Sequence, residues 1–282
     1  MRRTSFGIAL AAVAVASPLS AQWQTIGMPN NSNSGAYWNN QSDDNAPGAV
    51  CNAGAILTNT PALTAASCNA QAPVYLPLSP APLTTSNVFL GGAAGSNPGG
   101  FRFSGGTYNF GLLGRIAGNP STMWGVISDA GVVFSASTLL SGPTTISGPF
   151  AIWISSSLPT SGVIHSSTQQ TGVGAINTRT ATINQQFAVF TGATGVGSTY
   201  LSTDMWGTLI TSTGATPQFF VGMEDNFNCG RGFLPCTTTN NIADRDYNDI
   251  LISVQAVPEP ATVGLMGFGL LALAGVAKRR KA

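Results

Sequence analysis

Five of the nine acidic residues in the body of the chain fall in one stretch: Glu224, Asp225, Asp244, Asp246 and Asp249. The densest part is Asp244-Arg245-Asp246-Tyr247-Asn248-Asp249, which leads directly into the apolar segment Ile250 to Val254. Carboxylates this close repel one another unless water or a cation neutralises them, and a hard cation with about six to eight oxygen ligands does so well. Calcium is the candidate ligand of this edge. The alternative is a solvated acidic turn whose charge Arg245 partly offsets.

Catalytic chemistry finds little support. His165 is the only histidine, so any Ser-His-Asp triad would have to use it. Its neighbours Ser166 and Ser167 carry no weight, because triad partners meet in space rather than in sequence, and no Gly-x-Ser-x-Gly elbow is present. Glycoside hydrolysis needs two carboxylates held across a cleft, and nothing in the spacing of Asp129, Asp204 and Glu224 suggests such a pair. Gly172 and Gly174 do not continue into a dinucleotide fingerprint. No catalytic residue is therefore assigned, and the expectation is a protein that is not an enzyme.

The four cysteines fall into two sequence-local pairs, Cys51 with Cys68 and Cys229 with Cys236. In an exported protein these form two disulfides; reduced or differently paired thiols are the alternative. A metal role is weak, since neither pair has two-residue spacing and the only histidine is remote.

What must position these groups follows from composition. Only 7% of the 282 residues are charged, against about 25% in an average domain, and 34 are glycine. Between Gln22 and Val257 there is no lysine and one glutamate, Glu224. That profile suits strands and turns rather than exposed helices, which draw on Glu, Lys and Arg. Six of the eleven basic residues lie at the termini, leaving five arginines against nine acids in the body, a net of −4. No clustered basic surface is available for nucleic acid.

Residues 22–85, rich in Asn, Ser, Ala and Pro, with Pro73, Pro77, Pro80 and Pro82 closely spaced, read as a loop-rich N-terminal region. From 86 to 256 the chain shows nine apolar or alternating runs bounded by turn residues: 87–90, 101–113, 123–128, 132–136, 150–155, 186–191, 205–210, 218–223 and 249–257. In the last, Ile250, Ile252 and Val254 share one face, with Leu251 and Ser253 on the other. The expected fold is all-β, a jelly-roll-like β-sandwich. Trp124, Trp153 and Trp206 would suit stacking on sugar rings if exposed, which keeps a carbohydrate-binding surface module as an alternative function. A secreted hydrolase is the third.

The termini read as sorting signals. Arg2 and Arg3 precede an apolar run from Phe6 to Ala16, as in a secretory signal peptide over residues 1–21, cut either after Ala21 or after Ala16. At the other end Val257-Pro258-Glu259-Pro260 introduces a seventeen-residue apolar run, Ala261 to Ala277, closed by Lys278, Arg279, Arg280 and Lys281. At about 1.5 Å per residue, one helix here covers most of a hydrocarbon core about 30 Å thick. The basic cluster keeps the tail cytoplasmic and places the body outside.

Residues 257–282 resemble the PEP-CTERM sorting signal of bacterial envelope proteins: the Pro-Glu-Pro motif, one hydrophobic helix and a short Arg-rich tail. The resemblance implies an exosortase partner that cuts near Pro258-Glu259-Pro260. The precursor would be anchored in the inner membrane and the product passed to the cell surface, or to an exopolysaccharide matrix of the kind found in biofilm. Phe219 to Asp225 and Asp244 to Val254 also resemble part of a bacterial surface β-domain, domain of unknown function 4114. That likeness implies a sandwich with a calcium-binding edge, although the insertion carrying Cys229 and Cys236 departs from it. Together these readings give an exported, non-enzymatic surface or matrix protein.

Overall fold

The computed structural model describes residues 22–29, 38–39, 51–63, 80–91, 100–115, 122–128, 131–136, 142–155, 164–167, 187–192, 198–204, 207–212, 218–224 and 247–257. Its elements, in chain order, are β1 (Gln22–Thr25), α1 (Ala53–Thr58), β2 (Val88–Gly91), β3 (Phe101–Phe103), β4 (Gly106–Gly114), β5 (Trp124–Ser128), β6 (Gly131–Ala136) and β7 (Thr144–Ile146). There follow β8 (Phe150–Ser155), β9 (Ile164–Ser166), β10 (Phe187–Thr191), β11 (Ser198–Asp204), β12 (Gly207–Ser212), β13 (Gln218–Met223) and β14 (Ile250–Ala256).

The strands form two seven-stranded sheets, ordered β1-β2-β10-β13-β14-β4-β7 and β11-β12-β3-β8-β5-β6, with β9 paired to β8. Alternation along each strand decides which side chains lie between them. Ile250, Ile252 and Val254 of β14 meet Phe101 and Phe103 of β3 and Phe150, Ile152 and Ile154 of β8 in one buried core. Its aromatic members interlock: Phe103 stacks on Phe150 at 5.4 Å and meets Phe219 of the opposite sheet edge-on, also at 5.4 Å. The body is thus an all-β sandwich.

The run 101–113, read from sequence as one strand, is two strands in different sheets. Ser104, Gly105 and Gly106 carry the chain from β3 across to β4. Gly106 has φ +151°, a region that favours glycine, and a Cβ on Gly105 would lie 2.7 Å from the backbone nitrogen of Gly148. Tyr108 braces the crossing by donating its hydroxyl proton to the Ser104 carbonyl at 2.8 Å.

The N-terminal region, expected as loop-rich, supplies ordered elements to the same body. β1 pairs antiparallel with β2, and Trp23 stacks on Phe219 at 6.3 Å. The short helix α1 lies, with Ile26, Trp38, Leu63 and Leu83, over the outer face of the first sheet. There it covers Phe89, Ala188, Phe190, Phe220 and Leu251 in a second buried cluster. Six residues make too short a helix to persist alone in water, so this packing and its caps hold it. Asn52 caps the start, its side-chain oxygen accepting from Ala55 N at 2.9 Å, and Asn59 closes the end in the left-handed conformation at φ 47°.

No described helix is long and apolar enough to cross a membrane. The predicted signal peptide (1–21) and the predicted transmembrane helix (Ala261 to Ala277) lie outside the described residues.

Candidate functional site: an acidic edge beside the N-terminal layer

Two of the five acidic candidates are described, and the sheet places both at one end. β13 and β14 pair antiparallel with Gly222 opposite Leu251. Beyond that pair the ladder stops and Met223 instead bridges Asn248, so Glu224, just after β13, and Asp249, just before β14, stand at the same end of the sheet. Glu224 is 2% exposed and Asp249 7%. Carboxylates this buried need compensation from hydrogen bonds, opposite charge or a cation, because low-dielectric surroundings penalise the charged form. Asp225, Asp244 and Asp246 lie outside the described residues. Among the described residues no three His, Cys, Asp or Glu side chains gather as a metal would require.

The segment between the acidic run and β14 is tightly held. Tyr247 takes φ 56°, unusual for a non-glycine residue, and its ring is fully buried in the cluster beneath the N-terminal layer. Its backbone passes so close to β13 that a Cβ on Gly222 would lie 2.6 Å from the Tyr247 carbonyl oxygen. Asn248 bridges Met223, and its side-chain amide donates to the carbonyl oxygen of Cys51.

Cys51 is buried and disulfide-bonded. Cys68, Cys229 and Cys236 lie outside the described residues, so its partner is not described. Next to it, Asn52 donates to the side-chain oxygen of Asn39 at 2.8 Å, and Asn39 in turn donates to Met28 O at 3.4 Å. Sequence reasoning passed over these asparagines. The available signal was Asn52 directly before the apolar run of α1, the pattern of a helix N-cap.

The groups weighed for other functions are placed as follows. His165 sits on β9 opposite Ile154. Ser167 just beyond it is fully buried and fills the gap between β3 and β8, which share only the pair Phe103 and Phe150. Its hydroxyl donates to Phe101 O at 2.9 Å and accepts from Ile152 N at 3.1 Å. Both capacities of that hydroxyl are thus committed to joining strands. Trp124 lies between the sheets, and Trp153 packs with Ile127 and Ala151 on the outer face of the second sheet, each at most 3% exposed. Neither offers a ring for sugar stacking, which removes two of the three proposed platforms; Trp206 lies outside the described residues.

Of the sorting residues, Val257 is described. Its backbone nitrogen donates to Thr107 O at 2.8 Å, one residue past the end of β14. Pro258, Glu259 and Pro260 lie outside the described residues.

No curated protein and no solved structure matches the chain. No comparison supports the resemblance to domain of unknown function 4114. A model of the PEP-CTERM protein-sorting motif matches residues 256–281, starting on the last residue of β14, so the sandwich runs without a spacer into the sorting signal of an exported precursor that an exosortase processes.

Proposed function

We propose that the sandwich is a non-enzymatic component of the cell surface or of an exopolysaccharide matrix, delivered there after exosortase removes its membrane helix. The observation that carries this reading is the PEP-CTERM motif matched at 256–281. Its position supports a cut that spares the body. The last described hydrogen bond, from Val257 N to Thr107 O, ties the chain to β4 immediately before Pro258. Proline lacks an N–H and cannot donate to a strand ladder, so Pro258 and Pro260 disfavour an extension of β14 into the motif, which suits a cut there.

The acidic edge is the candidate ligand site within that role. Glu224 and Asp249, at the same end of the first sheet, would supply hard oxygen donors of the kind calcium takes, and Asp225, Asp244 and Asp246 would complete the set. Calcium there would neutralise the edge and order the start of β14. The carbohydrate-binding reading now rests on Trp206 alone among the three tryptophans first considered.

Intact-mass measurement of protein recovered from the cell surface tests the sorting reading. The expected mass lacks the segment beyond about Val257, and a mature protein that retains its apolar tail would overturn it.

A further inference from the structure

We infer that the membrane-held precursor stands with the end of the sandwich at which β14 finishes against the lipid headgroups, and with its charged end turned outward. This orientation rests on the anchored precursor that the sorting motif implies, and adds to it which end of the body meets the bilayer.

Strand directions define the two ends. β14 runs antiparallel to both β13 and β4, so Ala256 and Val257 leave the sheet beside Gln218, where β13 begins, and beside Thr107 and Tyr108, where β4 begins. The second sheet is in step with the first. β3 finishes at the crossing into β4, and Gly105 in that crossing lies against Gly148, just before β8 begins. β12 is parallel to β3 and so finishes at this end too.

Charge is divided unevenly between these ends. Among the described residues the acidic and arginine positions are Arg102, Arg115, Asp204, Glu224 and Asp249. Glu224 follows β13, Asp249 precedes β14, Arg115 follows β4 and Asp204 closes β11, all at the far end, while Arg102 lies within β3. The described residues where β14 leaves, among them Thr25, Asn87, Ser147, Thr191 and Gln218, carry no charge. Asp129, which with Ala130 joins β5 to β6 at the edge of the second sheet, lies outside the described residues.

The shortness of the tether makes this polarity matter. From Val257 to Ala261, the first residue of the apolar run, the chain reaches at most about 14 Å, of which the headgroup layer takes up about 5–7 Å. The end of β14 is therefore held close to the lipid surface. Such a tether still lets the body lean, and electrostatics select among the positions. The body carries a net charge of −4, so an anionic bilayer repels it wherever its carboxylates come near. Seven residues of β14 at about 3.3 Å each set Glu224 and Asp249 about 23 Å farther out, more than two Debye lengths of about 8 Å at physiological salt, where that repulsion is screened. A body lying on its side would bring them back within range, whereas the uncharged end approaches without that cost. The far end is thus open to the surroundings before the cut as well as after it.

Reconstitution of the uncut precursor into vesicles of phosphatidylethanolamine and phosphatidylglycerol, with a nitroxide quencher on some headgroups, tests this. A fluorescent amino acid is placed at Ser147, exposed at the near end, or at Met123, exposed at the far end just before β5. The expected result is quenching several-fold stronger at Ser147 than at Met123. Equal quenching at the two positions, or stronger quenching at Met123, would overturn the orientation and leave the sorting reading intact. A precursor that does not float with the vesicles would overturn the anchored state itself, and the orientation with it.

Discussion

A Cβ built on Gly222 would stand 2.6 Å from the carbonyl oxygen of Tyr247 and 3.0 Å from the Cβ of Ala53. This one glycine therefore lets β13, the turn into β14 and the first residue of α1 pack at a single point. Gly222→Ala cannot be relieved by a side-chain rotation, because the nearest obstacle is backbone. It should lower stability by about 1–3 kcal/mol, seen as a lower urea midpoint with an unchanged slope. An unaltered midpoint would mean that the turn yields freely.

Gly54→Ala sets two effects of opposite sign against each other. Alanine gains up to about 1 kcal/mol in helix propensity, but its Cβ would meet the Trp38 ring at 2.2 Å. Trp38 is fully buried, with edge-on contacts to Phe89 and Phe190 at 5.7 and 5.3 Å, so any shift of its ring must displace these neighbours. Overpacking should win, with thermal unfolding at lower temperature and altered Trp fluorescence. A stabilised variant would show that the layer is loosely packed.

Calcium should raise the melting temperature if the acidic edge binds it. At a roughly hundredfold excess over Kd the gain is about 2.7 kcal/mol. Asp246→Asn keeps the size while removing one charge, so it should shrink the rise without preventing folding. Melting that ignores both millimolar calcium and a chelator would dismiss the site.

Peptide mapping without reductant should recover Cys51 joined to Cys68 and Cys229 joined to Cys236. The first pair closes a loop around α1, a cross-link worth about 3 kcal/mol by loop entropy. Recovery of Cys51 joined to Cys229 or Cys236 would reassign the pairing and join the N-terminal layer directly to the segment between Glu224 and Asp244.

The sequence by itself determined the sorting signal and most of the strands, because both are local patterns. Pro-Glu-Pro followed by an apolar run and basic residues is legible without a fold, and the run of β14 marks which of its side chains share a face. Ile250, Ile252 and Val254 do face the core, and Leu251 does face the other way, under the N-terminal layer. The tertiary structure decided what depends on distant partners. β1, β7, β9 and β11 are short or weakly apolar and become strands through the neighbours they pair with. α1 is six residues from a stretch that reads as loop, made helical by an asparagine cap and an apolar sheet face waiting beneath it. The placing of Glu224 and Asp249 at one end of the sheet, and the bond of Asn248 to Cys51, come from strand pairing and a tie across 197 residues, and no spacing along the chain encodes either.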